Sequence, residues 1–222
     1  MLKGMVFIDH MNFDIALHDY YKKELSKPSI KVDYNKLFHN IVKLVENVDF
    51  VKATLFVPEP DDFLKHDDKL SNYYKWAKGL GNAPFVDVVS GRYCARPVDA
   101  NIPMDINLRG TYYKVEKGTD INLAVDVINK AFHNSYDIAF VVSGDTDYIK
   151  VYDILKSYGK LIVVVVVKGQ STYRIKQNVD AVFTLDESFF NNCLREVDQP
   201  VVPSTTDSIA NEQESPETVT FT

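Results

Sequence analysis

The sequence is poor in residues that staple or anchor a chain. Only two of its 222 residues are cysteine, Cys94 and Cys193. They form neither a disulfide framework nor a metal-ligand spacing, and they fit a reducing, cytoplasmic setting. The five histidines make no i,i+4 pair and no alternating cluster, so the usual zinc sites are not expected. The longest apolar run, "LIVVVVV" at 161–167, falls far short of the roughly 18 residues a membrane helix needs. The opening "MLKGMVFIDH" meets charge before an apolar stretch develops, so no secretory signal is expected. A glycine-rich phosphate loop of the NTPase type is also missing, which removes support for that class.

Basic charge is in deficit, with a net charge of −6. The deficit is concentrated at one end. From Asp198 onward there are five acids (Asp198, Asp207, Glu212, Glu214 and Glu217) and no Lys or Arg. Without them, residues 1–197 carry 25 basic and 26 acidic side chains, a net of −1. If acids gather in one site, the remaining surface is mildly basic, which is compatible with a polyanionic partner. Residues 198–222 are rich in Pro, Ser, Thr and acids and show no hydrophobic period, which predicts a disordered acidic tail. Residues 1–197 are then the folded domain. With 45% hydrophobic residues overall, the chain has enough apolar surface for a substantial core.

Within that domain strand and helix patterns alternate. Apolar strands are expected at 4–8, 50–57, 84–90, 137–143, 160–167 and 181–185. A helix is expected from Asp33, with Leu37, Ile41, Leu44, Val45 and Val48 on its inner face. Others are expected over 60–81, 119–132, 147–159 and 187–195, with a short basic one near 170–177. For 60–81 the inward residues are Phe63, Leu70, Tyr73, Tyr74 and Ala77. For 119–132 they are Ile121, Ala124, Val125, Ile128 and Phe132. Residues 91–116 are irregular, a hairpin or flap, and 9–32 receive no element. Strands separated by helices imply right-handed crossovers, hence a three-layer α/β/α domain on a mostly parallel sheet. Ligands of such sheets bind at the carboxyl ends of the strands.

Acids collect at those ends. "FIDHMN" places Asp9 and Asn12 after the first strand, "EKGTDINLAVD" places Asp120 and Asp126 at and inside a helix start, and "SGDTD" places Asp145 and Asp147 after another strand. Taken singly, Asp9, Asp120, Asp145 and Asp147 read as turn or helix-capping residues, and Asp126 as a solvated one. Taken together on one rim, like charges need a neutralising cation. Hard cations such as Mg²⁺ or Mn²⁺ accept carboxylate oxygens and retain waters. Such a metal activates water and stabilises a transferring phosphoryl group.

These segments resemble the NYN domain, a PIN-like nuclease fold related to LabA-like bacterial proteins. The resemblance rests on "DHMN" at 9–12, "KGTDINLAVD" at 117–126 and "SGDTD" at 143–147, with "GKLIVVVVV" and "VDAVFTLDE" as closing segments, in order over about 4–190. It implies a Mg²⁺- or Mn²⁺-dependent nuclease, an endoribonuclease above all. Asp9, Asp120 and Asp145 would be its metal-site and catalytic carboxylates. Asn12 and Asp147 would support them, and Asp126 is a weaker candidate. The family commonly has glycine at position 10, so the larger His10 is expected to narrow the site. Arg92, Arg96, Lys117, Lys168 and Arg174 are candidate contacts to RNA phosphates, and an ordinary solvated basic face is the competing reading. Tyrosines near Arg92 and Arg96 suit either base stacking or hairpin packing. A catalytically weak nucleic-acid-binding or regulatory module is the alternative function. A phosphatase with an aspartyl nucleophile is disfavoured, because Met11 stands where its second Asp belongs.

Overall fold

The computed structural model describes residues 1–195, so the expected tail at 198–222 lies outside the described residues. Seven strands form one sheet in the order β4-β3-β2-β1-β5-β6-β7. They are β1 (Leu2–Asp9), β2 (Val48–Pro60), β3 (Val86–Pro97), β4 (Tyr112–Lys117), β5 (Ile138–Val142), β6 (Leu161–Val167) and β7 (Ala181–Leu185). All pairings are parallel except β3 with β4. The chain builds outward from β1 in both directions. The β1–β5 boundary is therefore the point where strand order reverses, which is where open α/β sheets bind ligands.

Alternation along β1 divides the core into two layers. Val6 and Ile8 join a buried cluster with Phe13 and Leu17 of α1 (His10–Asp19), Leu37 and Ile41 of α2 (Tyr34–Val42), Ala77 of α3 (Asp68–Gly79) and Phe190 of α6 (Glu187–Asn191). Met5 and Phe7 join the opposite cluster with Leu123 and Val127 of α4 (Thr119–Phe132) and Tyr152 and Leu155 of α5 (Ile149–Ser157). This is the expected α/β/α sandwich.

Several boundaries move. The α2 helix stops at Val42, because Leu44 and Val45 form a turn and Val48 already opens β2. The helix expected over 60–81 starts only at Asp68, since β2 runs to Pro60 and Asp67 caps the helix by accepting from Lys69 and Leu70. Of its expected inward residues only Ala77 is fully buried; Phe63 and Leu70 pack in a small cluster with Leu64, Ala95 and Tyr112. The basic helix near 170–177 is a single 3₁₀ turn, Ile175–Gln177, and α6 ends at Asn191. Residues left without an element contain α1, followed by a π-turn over Tyr20–Glu24.

The rotation of α4 is the largest departure. Thr119, Leu123, Val127 and Ala131 are buried, whereas Ile121, Val125 and Phe132 are 67%, 61% and 68% exposed. Of the expected inward residues, Ala124 and Ile128 pack partly against the core. The apolar arc of the helix is wider than the face it buries, so periodicity alone did not fix the rotation. Its anchors did. Thr119 seats directly on Gly91, where a Cβ would come within 2.1 Å of the threonine hydroxyl. Asn122 Nδ2 donates to the Ser90 carbonyl at 3.0 Å, and Lys130 Nζ to Thr54 Oγ1 at 2.9 Å. Three contacts to β2 and β3 fix the rotation against the hydrophobic count.

Residues 91–116 are a hairpin arm. The outer half of β3 pairs antiparallel with β4, from Arg92 opposite Lys117 to Pro97 opposite Tyr112. The arm matters because β4 runs back towards the strand carboxyl ends. Gly118, in the left-handed region at φ 79°, then turns the chain into α4 and leaves Asp120 in its first turn.

Candidate functional site

Asp9 is the last residue of β1 and is 5% exposed. It lies on the Met5–Phe7 side of the sheet by strand alternation. Its Oδ1 accepts from the Asn12 backbone N–H at 3.2 Å and so caps α1. Its Oδ2 faces two hydroxyl donors, Ser143 Oγ at 3.3 Å and Tyr148 at 3.4 Å. The Tyr148 hydroxyl also lies 3.0 Å from Asp120 Oδ1. One phenol thus spans two carboxylates that are far apart in the chain.

The charge in this corner is not balanced. Burial, with added repulsion from Asp120 and Glu116 and against the Asn12 N–H, pushes the Asp9 pKa up to about 6. Burial and the Asp120 charge also raise Glu116. Burial and then the charges of Asp9, Asp120 and Asp145 drive the Tyr148 hydroxyl far above its ordinary range, which keeps it a proton donor. Among the described residues neither Asp9, Asp120, Asp145 nor Glu116 takes part in an ion pair.

Asp145 is held differently. Its N–H donates to Ser143 Oγ at 3.1 Å, and its Oδ1 accepts from the Asp147 N–H at 2.9 Å. Ser143 therefore ties the "SGDTD" turn to Asp9. Asp147 is exposed and contributes only its backbone here. Asn12 is a strut: its Oδ1 accepts from Gly144 N–H at 3.0 Å and Gln170 Nε2 at 2.9 Å, while Gln170 Oε1 accepts from Val167 N–H at 2.9 Å. The ends of β1, β5 and β6 are locked together. Asp126 is drawn away, its carboxylate 2.5 Å from Lys130 Nζ.

A family model, the NYN domain, matches residues 3–186. The chain belongs to the NYN domain family. The NYN segments quoted from the sequence are the ones that build this corner. A solved structure of a protein of unknown function from Vibrio parahaemolyticus RIMD 2210633 is similar to the chain, with a TM-score of 0.51 at 18% identity, covering 85% of this chain and 95% of that one. At that identity the likeness concerns the fold. No curated protein matches the chain.

His10 does not narrow this NYN site. It continues the Val6–Ile8 side, is fully buried, and bonds through Nε2 to the Tyr34 hydroxyl at 2.6 Å and through Nδ1 to the Tyr73 hydroxyl. Trp76 packs edge-on against it. Burial alone lowers its pKa to about 4.

The basic candidates separate by position. Lys117 and Arg92 face each other across β3 and β4, just before the Gly118 turn, and Lys168 follows β6 beside Gln170. Arg174 lies in the loop after that, just before the 3₁₀ turn Ile175–Gln177. Arg96 is four positions further out on the arm than Arg92, about 13 Å along the strand. All five are exposed, and among the described residues none makes an ion pair.

Sequence reasoning missed Ser143, Tyr148, Glu116 and Gln170. Ser143 lies inside the "SGDTD" motif, whose signal is its acids. Tyr148, Glu116 and Gln170 have no local signature, because their roles exist only once β4, β5, β6 and α4 meet.

Proposed function

We propose that this NYN domain is a metal-dependent ribonuclease that hydrolyses phosphodiester bonds at the β1–β5 corner. One observation carries the reading. Asp9 and Asp120, 111 positions apart, meet on a single tyrosine hydroxyl, and among the described residues neither is in an ion pair. Among the described residues no three His, Cys, Asp or Glu side chains stand close enough to cage an ion. Mg²⁺ does not need a cage, because it binds through one or two carboxylates and keeps its waters. The donor set therefore fits Mg²⁺ or Mn²⁺ held by Asp9 and Asp120, with Asp145 completing the acidic face. When bound, such an ion supplies an acidic water and neutralises a phosphoryl group.

The chain's own residues do the remainder. Tyr148 and Ser143 orient the Asp9 carboxylate. Asn12 and Gln170 hold the β6 loop so that Lys168 stands on the rim. Lys117, Arg92, Lys168 and Arg174 meet backbone phosphates, with Arg96 reached only by a longer strand. Asp147 holds Asp145 through its N–H, and Asp126 serves α4 rather than the reaction. The activity belongs to residues 1–197.

The test uses labelled RNA and DNA panels with purified protein in Mg²⁺, Mn²⁺ or chelator. Cleavage of RNA that requires metal and disappears in Asp145→Asn, with the melting temperature retained, supports the reading. Metal-independent cleavage, or wild-type turnover in Asp145→Asn, defeats it. Specific RNA binding without cleavage favours the regulatory alternative.

A further inference from the structure

Beside the carboxylate corner, on the other side of α1's first turn, lies a cavity of about 260 Å³. Its walls are Met11, Pro58, Pro60, Tyr73 and Tyr93, so apolar and aromatic surface predominates. We propose that this cavity receives one unpaired nucleobase of a single-stranded RNA whose backbone crosses the acidic corner. The proposal rests on the nuclease reading for the identity of the strand, and it goes beyond it by assigning where a base is bound.

Size and position argue for that occupant. The volume lies just under the range of about 300–1,000 Å³ typical of small-molecule pockets, which suits one ring system and excludes a base pair. Met11 is two residues from Asp9, and Tyr93 stands opposite Glu116 in the β3–β4 ladder. The pocket therefore adjoins two of the acids. A nucleotide with its phosphate at the corner has its base within reach of this cavity.

The chemistry also matches. Tyrosine faces stack on any base, which is how single strands are bound without duplex geometry. Tyr73 is held in place, its hydroxyl bonded to buried His10 and 3.8 Å from Met11 Sδ. Its ring is set before a ligand arrives. Lys69 and Asp14 also line the cavity and supply one donor and one acceptor for the polar edge of a base. This gives His10 a purpose beyond packing: it positions an aromatic wall.

The experiment measures binding in chelator, so that cleavage plays no part. The probes are a short single-stranded oligoribonucleotide, the same strand with abasic positions, and its duplex. Wild type is expected to bind the intact strand at least about tenfold tighter than the abasic strand or the duplex. Tyr93→Leu, which keeps apolar cover but loses the ring face, should lose most of that preference while leaving abasic affinity unchanged. Leu70→Trp, which fills the cavity from its rim, should do the same and serves if the first variant folds poorly. Equal wild-type affinity for intact and abasic strands, or an undiminished preference in both variants, overturns the pocket while metal-dependent cleavage still stands. A base preference without metal-dependent cleavage supports the pocket and defeats the nuclease reading. No binding of any strand overturns both.

Discussion

The two faces of the sheet treat adjacent titratable residues in opposite ways. Asp9 emerges among Ser143, Tyr148 and Asp120 on the α4–α5 side. His10 emerges among Tyr34, Tyr73 and Trp76 on the other. Burial pushes each towards its neutral form, Asp9 up to about 6 and His10 down to about 4. For His10 neutrality is the satisfied state, since each ring nitrogen has a hydroxyl partner. For Asp9 neutrality is a compromise among acids that repel one another. The same backbone turn thus produces a settled packing unit and an acidic site that a cation would relieve. Burial depth alone does not distinguish them; the partners do.

Activity should break the comparison most sharply. Asp9→Asn keeps an oxygen to cap α1 but removes the charge. It is expected to lower metal-dependent cleavage at least about a hundredfold, as loss of a group that stabilises transition-state charge does. His10→Gln, which keeps hydrogen-bonding atoms, should retain most of the chemical step and act mainly on stability. Single-turnover rates at saturating metal test this. Comparable losses in both variants would mean that the two faces are not functionally separate.

The pH dependence of stability should sharpen it. In chelator, the Asp9 pKa is raised from 3.8 to about 6, so its contribution is fully present below pH 4 and is lost as pH rises through 6. The His10 pKa is lowered from 6.5 to about 4, so its contribution is present above pH 6.5 and is lost as pH falls through 4. Each amounts to about 3 kcal/mol, with opposite sign over nearly the same window. They offset each other in the wild type. Relative to it, Asp9→Asn should gain stability as pH rises from 4 to 6.5, and His10→Gln should lose it. Denaturant titrations across that range decide; parallel curves for the two variants would refute the opposition. Metal-induced stabilisation should also grow as pH passes 6 and Asp9 ionises.

The smallest effect is expected from removing 198–222. Composition predicts no core contact, so the melting temperature should move little. RNA affinity at low salt should rise a few-fold, because five negative charges leave with the segment. A large fall in melting temperature would show that these residues belong to the domain.

Much of the fold was legible because it depends on short-range pattern. Buried parallel strands are apolar runs, and "LIVVVVV" needs no context to be read as one. The acidic segments were legible for a related reason: strand ends in an α/β sheet are functional positions by topology. Legibility failed where two answers satisfied the same pattern. The α4 helix has apolar residues on both faces, so its rotation followed from Gly91, Ser90 and Thr54 instead of its own sequence. His10 follows Asp9 directly in sequence, but strand alternation sends it to the opposite face, among Tyr34 and Tyr73.

The sequence by itself determined the α/β class, the position of the acids at strand ends and the motifs that mark the family, since each depends on residues within a few positions of one another. The i,i+4 pair of Asp126 and Lys130 is local to α4 and follows from helix spacing. Tertiary structure alone decided that Tyr148 spans Asp9 and Asp120, that Asn12 locks to Gln170, and that Glu116 adds its charge beside Asp9. Each of these joins segments far apart in the chain. Such contacts follow from the crossover order of the sheet and the return of β4 to its rim, and no local periodicity encodes them.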